Sequence, residues 1–149
     1  MNPADCKLEH VFDIEVFFGA DRTIFGPLPD GGKQGYTPPI GGTISGPRLT
    51  GTVVPHSGAD YPLVRSDGVI ELNAHYLLKA EDGTLIYIMN KGYLVPGGPG
   101  STQPGYFRIT PYFRVPEGPH DWIGRTCIVG GGERRSDPDR TLFRYYALR

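Results

Sequence analysis

Apolar and polar residues alternate one by one along most of this chain, in short runs parted by glycine and proline, and period-two alternation is the signature of half-buried β-strands. The longest such stretch runs from Asp67 to Tyr93 and reads as two strands folded on a tight turn. Its first run, Gly68 to Ala80, carries the β-formers Val69, Ile70 and Tyr76, and its second, Thr84 to Tyr93, is richer in them still. Between them stands Glu81-Asp82-Gly83. Asp-Gly is the dipeptide that a two-residue type I′ hairpin prefers, because both central residues need positive φ. Counting outward from Asp82-Gly83 predicts that Glu81 faces Thr84, Leu78 faces Tyr87 and His75 faces Asn90. One face then holds Ile70, Leu72, Ala74, Tyr76, Leu78, Leu85, Tyr87 and Met89. The other holds Glu71, Asn73, His75, Leu77, Ile86, Ile88 and Asn90. A slip of one residue in either strand moves its side chains to the opposite face.

The remaining runs follow the same period. His10 to Phe18 predicts a strand that buries Phe12, Ile14, Val16 and Phe18. Residues 26–42 contain four prolines and six glycines, the pattern of a long loop over a barrel end. Gly42 to Val54 reads as one strand broken at Gly46-Pro47, or as two short ones, and Tyr61 to Arg65 as another. Tyr106 to Val115 alternates Phe107, Ile109 and Phe113 against Tyr106, Arg108 and Tyr112, with Pro111 marking an edge or a bulge. His120 to Val129 leads from a helical turn into a strand, and Arg140 to Leu148 closes the chain. No segment keeps a helical period over three turns. The expectation is an all-β, single antiparallel barrel of about eight to ten strands with long Gly/Pro-rich loops, spanning residues 1–149 as one domain, with a sandwich as the rival.

Composition narrows the function classes. Glycine (22) and proline (15) are abundant, yet they cluster between apolar runs and so read as turns. Lys+Arg 15 against Asp+Glu 16 leaves a formal charge of −1, which offers no general attraction to nucleic acid or to an anionic membrane. No apolar run approaches the ~20 residues of a membrane span, and the N-terminus lacks the apolar core of a secretory signal. A cytoplasmic protein with reduced Cys6 and Cys127 is expected, Cys127 as a buried thiol in an apolar strand. His10, His56, His75 and His120 show no ligand-pair spacing, so neither a metal nor another cofactor is expected. A set assembled across the fold from His75 with Glu71 or Asp60 stays open.

Few motifs carry chemistry. Gly41-Gly-Thr-Ile-Ser-Gly46 lacks the Lys-Ser/Thr of a phosphate loop, and no helix follows it. Gly130-Gly131-Gly132 reads as a hairpin loop, with Arg134, Arg135, Arg140 and Arg144 as a solvated face. More informative is the row Asn73, His75 and Asn90, where polar groups share a face with Ile86 and Ile88. That mixture fits the wall of a polar-lined cavity, in which His75 can act as a base near neutral pH. Tyr106, Arg108 and Tyr112, followed by Trp122 and Arg125, form a second row that reads either as a stack-and-clamp for an anionic ring or as a structural cap on a barrel end.

Gly42-Thr-Ile-Ser-Gly-Pro-Arg-Leu-Thr-Gly51, Gly58-Ala-Asp-Tyr61, Asp67-Gly68, Tyr76, Asp82-Gly83-x-x-Ile86 and Gly92 together resemble the motifs of a widespread bacterial and fungal family known only as a domain of unknown function. The likeness runs from about Val11 to Leu148. It implies a barrel similar to those of allene oxide cyclase and the lipocalins, with an axial cavity, and it implies no shared activity. Pro55-His56-Ser57-Gly58 and Asp121-Trp122-Ile123-Gly124 depart from the family pattern, as does the Pro-Tyr-Phe-Arg ending at Arg114.

The resulting expectation is a cofactor-independent enzyme (isomerase, cyclase, hydratase or lyase) acting by proton transfer on a hydrophobic or aromatic metabolite inside the barrel. His75 is the expected base, Asp60 its orienter or the acid, and Arg48 or Arg108 the oxyanion anchor. Asn73, Tyr76, Tyr87, Asn90, Tyr106, Arg108, Trp122 and Arg125 are the expected binding residues. The alternative is a non-catalytic carrier of lipocalin type, and a third possibility is a subunit that contributes only a homo-oligomer interface.

Overall fold

The computed structural model describes residues 2–149. Its first seven strands are β1 (Leu8–Phe18), β2 (Thr23–Phe25), β3 (Lys33–Tyr36), β4 (Pro39–Ser45), β5 (Gly51–Val53), β6 (Ala59–Asp60) and β7 (Leu63–Val64). The long hairpin follows as β8 (Ile70–Ala80) and β9 (Leu85–Val95), then β10 (Tyr106–Ile109) and β11 (Tyr112–Arg114). A 3-10 turn at Asp121–Arg125 precedes the last hairpin, β12 (Ile128–Arg135) and β13 (Arg140–Leu148). All 13 strands join one antiparallel sheet. Eight of them close a ring in the order β8-β9-β10-β12-β13-β1-β4-β5, with β5 returning to β8. Closure leaves these strands no free edge, the all-β solution to exposed ladder groups.

Burial follows the alternation. Phe12, Ile14 and Val16 of β1, Leu78 of β8, Ile86 and Ile88 of β9, Ile109 of β10, and Phe143 and Tyr145 of β13 fill the interior. The rings pack edge-on or tilted, with Phe12 5.0 Å from Tyr145 and Phe107 5.6 Å from Phe143. The 3-10 turn plugs one end of the barrel with Ile123 and Trp122, and His120 Nε2 stands 2.9 Å from Asp82 Oδ2 in the β8–β9 turn. The other end, where β1 finishes and β8 begins, stays open.

The hairpin turn differs from the two-residue expectation. Only Gly83 among the turn residues has positive φ, at +90°, so a type I′ turn is absent. Gly83 N–H donates to Ala80 O, Ala80 N–H donates to Thr84 O, and Asp82 Oδ1 accepts from Thr84 N–H. This is a three-residue loop in which a type I turn is followed by a left-handed glycine. The extra residue shifts the register by one: Leu78 faces Ile86, Leu77 faces Tyr87, His75 faces Met89 and Ala74 faces Asn90. The apolar face of β8 stays as expected, whereas β9 is turned over, so Ile86, Ile88 and Asn90 point inward and Tyr87 and Met89 outward.

Three smaller corrections follow, the first two because ladder pairing outweighs weak local propensity. Residues 26–42 are not all loop, since β3 and the start of β4 lie inside them. Gly130-Gly131-Gly132 forms the middle of β12, not a hairpin loop. Cys127 is exposed just ahead of β12 instead of buried within a strand.

Candidate active site at the open end of the barrel

The site is set by what lies along one edge of β8. Three short segments share that edge in turn: β5 opposite Ala80 to Leu78, β6 opposite His75 and Ala74, and β7 opposite Glu71 and Ile70. Gly58 allows the hand-over from β5 to β6, because a Cβ there would stand 1.7 Å from His75 O. Ser57 completes it, accepting from Leu77 N–H at 2.9 Å and donating to Val54 O at 2.7 Å. Asp60 thereby pairs with Ala74, and on the other side of β8 Ala74 pairs with Asn90. Paired residues point to the same face, so Asp60, Ala74 and Asn90 form one inward row across three strands, spaced roughly 5 Å apart. Tyr76 stands two residues farther along that face. Ala74 is the small residue among them, and it leaves the floor open between three polar groups.

That floor belongs to a pocket of about 180 Å³. Its walls include Phe18, Pro39, Leu72, Leu94, Phe107 and Phe143, and Arg22 and Arg134 also line it. The polar groups at the bottom are poorly satisfied. The Tyr76 hydroxyl and the Asn90 amide nitrogen are buried and meet no partner in good hydrogen-bond geometry, although the Tyr145 hydroxyl lies beside Tyr76 and donates to Asn90 Oδ1 at 3.3 Å. Asp60 Oδ1 accepts from Asn73 N–H at 2.9 Å. Burial pushes the Asp60 carboxyl up to about 6, against the smaller lowering effect of that one donor. Burial, and then the nearby Asp60 charge, drives the Tyr76 phenol well above its ordinary range, so it stays protonated as a donor.

A family model for a protein of unknown function, DUF3237, matches residues 6–148. The chain belongs to the DUF3237 family. It is 30% identical over 141 residues to an UPF0311 protein of Rhodopseudomonas palustris, covering 88% of this chain and 90% of that one. A β-barrel-like protein of Acinetobacter baumannii superposes with a TM-score of 0.88 at 30% identity over 99% of both chains. A protein described as an enzyme from Penicillium herquei shares the fold at a TM-score of 0.77 and 20% identity, over 100% of this chain and 98% of that one.

Of the residues singled out in the sequence, this DUF3237 chain gathers Asp60, Tyr76 and Asn90 in the pocket. The others lie elsewhere. His75 is on the outer wall, with Nδ1 2.5 Å from the Tyr87 hydroxyl and Nε2 3.2 Å from Asn73 Oδ1. His75 and Asp60 therefore occupy opposite faces of the wall, which removes both the expected cavity role of His75 and a shared metal set. Asn73 is exposed, and only its backbone reaches Asp60. Tyr106 and Arg108 point outward because Phe107 and Ile109 point in. Arg48 and Trp122 meet at the plugged end, the guanidinium 4.3 Å from the ring centroid, and Arg125 pairs with Asp121 at 3.0 Å. Arg22, Arg134, Phe18, Phe107 and Phe143 were missed as site residues. Arg134 was legible only through strand parity, as the inward position that follows Gly130 and Gly132.

Proposed function

We propose that this chain is a small-molecule enzyme that moves a proton on a ring-bearing, largely apolar metabolite, as an isomerase, cyclase, hydratase or lyase does. Above about pH 6 the Asp60 carboxylate takes a proton from a carbon acid or hydroxyl of the substrate. Tyr76 O–H and Asn90 Nδ2–H donate to the oxygen on which charge then gathers, and Asp60 returns the proton at the product position. Donors fixed by the barrel wall need no reorganisation when that charge appears, which is where their catalytic value lies.

One observation carries the reading. Two fully buried polar groups, Tyr76 O–H and Asn90 Nδ2, are left unpaired beside a desolvated carboxyl. Each costs about 1–3 kcal/mol when unmet, a burden that a ligand oxygen relieves. The fold neighbour described as an enzyme is in keeping with this.

The test is solvent-deuterium incorporation into a panel of enolisable aryl ketones and phenols, followed by proton NMR. Exchange faster than in buffer, lost in Asp60→Asn and retained in His75→Gln, supports the assignment. Binding without exchange in the wild-type protein indicates a carrier instead and overturns the catalytic reading.

A further inference from the structure

Arg22 and Arg134 are held at the rim by the same two groups. Arg22 Nη2 is 2.8 Å from Asp139 Oδ2, and Arg134 Nη2 pairs with Asp139 Oδ1. Both guanidiniums also lie against the Phe18 ring, 4.8 Å and 5.5 Å from its centroid, and stacking of this kind fixes a cation's position while leaving in-plane N–H groups free. Arg134 Nη1 donates to Thr141 Oγ1 at 2.6 Å. Two cations thus share one carboxylate. Among the described residues, no protein acceptor takes the Nε or Nη1 donors of Arg22, or Nε of Arg134.

The pocket's charges are therefore ordered along its depth, two guanidiniums at the mouth and one carboxylate, Asp60, at the floor. An anion is drawn to the first and repelled by the second, so the field both attracts an anionic ligand and orients it. Phe18, Phe107 and Phe143 lie between, where a flat apolar body is favoured.

We propose that the substrate is an aromatic acid whose carboxylate docks on Arg22 and Arg134 while the ring presents its reacting atom to Asp60. This rests on the catalytic reading of the same pocket and adds the substrate's charge and its orientation. Arg22 and Arg134 are binding residues that discriminate by charge, and planar guanidiniums suit a carboxylate better than a point charge would.

The experiment compares 2-naphthoate with 2-naphthylmethanol, which share a ring system and differ in charge, by calorimetry at low salt and pH 8. The wild-type protein should prefer the naphthoate by roughly tenfold or more, and added salt should erode the preference. Arg22→Gln and Arg134→Gln should each reduce it, and the pair together should abolish it, read as the ratio of the two affinities in the same variant. Arg22 is exposed, so its variant keeps the test valid if loss of Arg134 weakens the fold. Equal affinity for the two probes, no binding of the naphthoate, or a preference that survives the double substitution overturns the proposal. Asp60→Asn separates the two readings: the charge preference should persist there while deuterium exchange is lost. A preference without wild-type exchange defeats catalysis alone, and Asp60-dependent exchange without a preference defeats the anion site alone.

Discussion

The two faces of the β8–β9 hairpin carry nearly the same chemistry and have opposite fates. Outside, Asn73, His75 and Tyr87 bond to one another, His75 through both ring nitrogens, and solvent reaches the cluster. Inside, Tyr76 and Asn90 of the same two strands meet Asp60 from the neighbouring β6, yet two of their donors are unmet and the carboxyl is desolvated. Residue type alone does not mark a site. A polar group that is satisfied at the surface has nothing left to give a ligand, whereas one that is buried and unpaired is held ready for it.

The comparison is tested most severely by paired substitutions in the exchange reaction. Asp60→Asn should lower the rate by roughly 10²–10⁴-fold, the usual contribution of a positioned base, whereas His75→Gln should leave it within about twofold. Wild-type activity should also rise with pH through about 6 as Asp60 ionises. Equal losses in the two variants would remove the distinction between the faces.

The same carboxyl makes an opposite prediction for stability. Its folded pKa of about 6 lies above the ordinary 3.8, so the folded state binds the proton more tightly than the unfolded chain does. Stability from this group is greatest below about pH 4, falls as pH rises toward 6, and is flat beyond. A shift of about two units is worth up to about 3 kcal/mol. Asp60→Asn should therefore melt higher than wild type at pH 8 and nearly level with it at pH 4. A functional residue that costs stability is the expected trade, and no such gain should follow from His75→Gln.

The boundary between the faces rests on Gly83. Gly83→Val places a β-branched residue at φ +90°, a destabilisation on the order of 1–3 kcal/mol visible in urea unfolding. The pocket should still bind its ligands in whatever fraction remains folded, since the turn touches none of its walls.

How much of this was legible follows from which signals are local. The strands of β1, β8 and β13 were readable because alternation is a property of neighbours in sequence. The face of β9 was not, because it depends on whether Glu81 belongs to the strand or to the loop, and Asp82-Gly83 suits both a two-residue turn and the end of a three-residue one. Asp60, Tyr76 and Asn90 were named as candidates, but their meeting depends on β6 lying beside β8 at Ala74, a non-local pairing of two residues that no period reveals. Arg134 was hidden by its glycines. Gly130, Gly131 and Gly132 have poor strand propensity and look like a turn, and only ladders to β10 and β13 hold them extended.

The finest test exchanges one hydroxyl on each face. Tyr76→Phe removes a buried group that has no partner, and with it a desolvation cost, so the variant should be neutral or up to about 1 kcal/mol more stable, a rise of roughly 2–4 °C in Tm. The same change should slow exchange, because a donor to the developing oxyanion is gone. Tyr87→Phe removes a hydroxyl that is bonded to His75 at a half-exposed position, where water replaces the lost partner. Its expected effect is a loss of about 0.5 kcal/mol or less with unchanged exchange. The two variants each lack a single oxygen atom of the same parent, and Tyr76→Phe should be the more stable of the two and the slower in exchange. If Tyr76→Phe instead melts several degrees lower, its hydroxyl is bonded in solution. The pair of free donors that supports the catalytic reading would then be reduced to Asn90 alone.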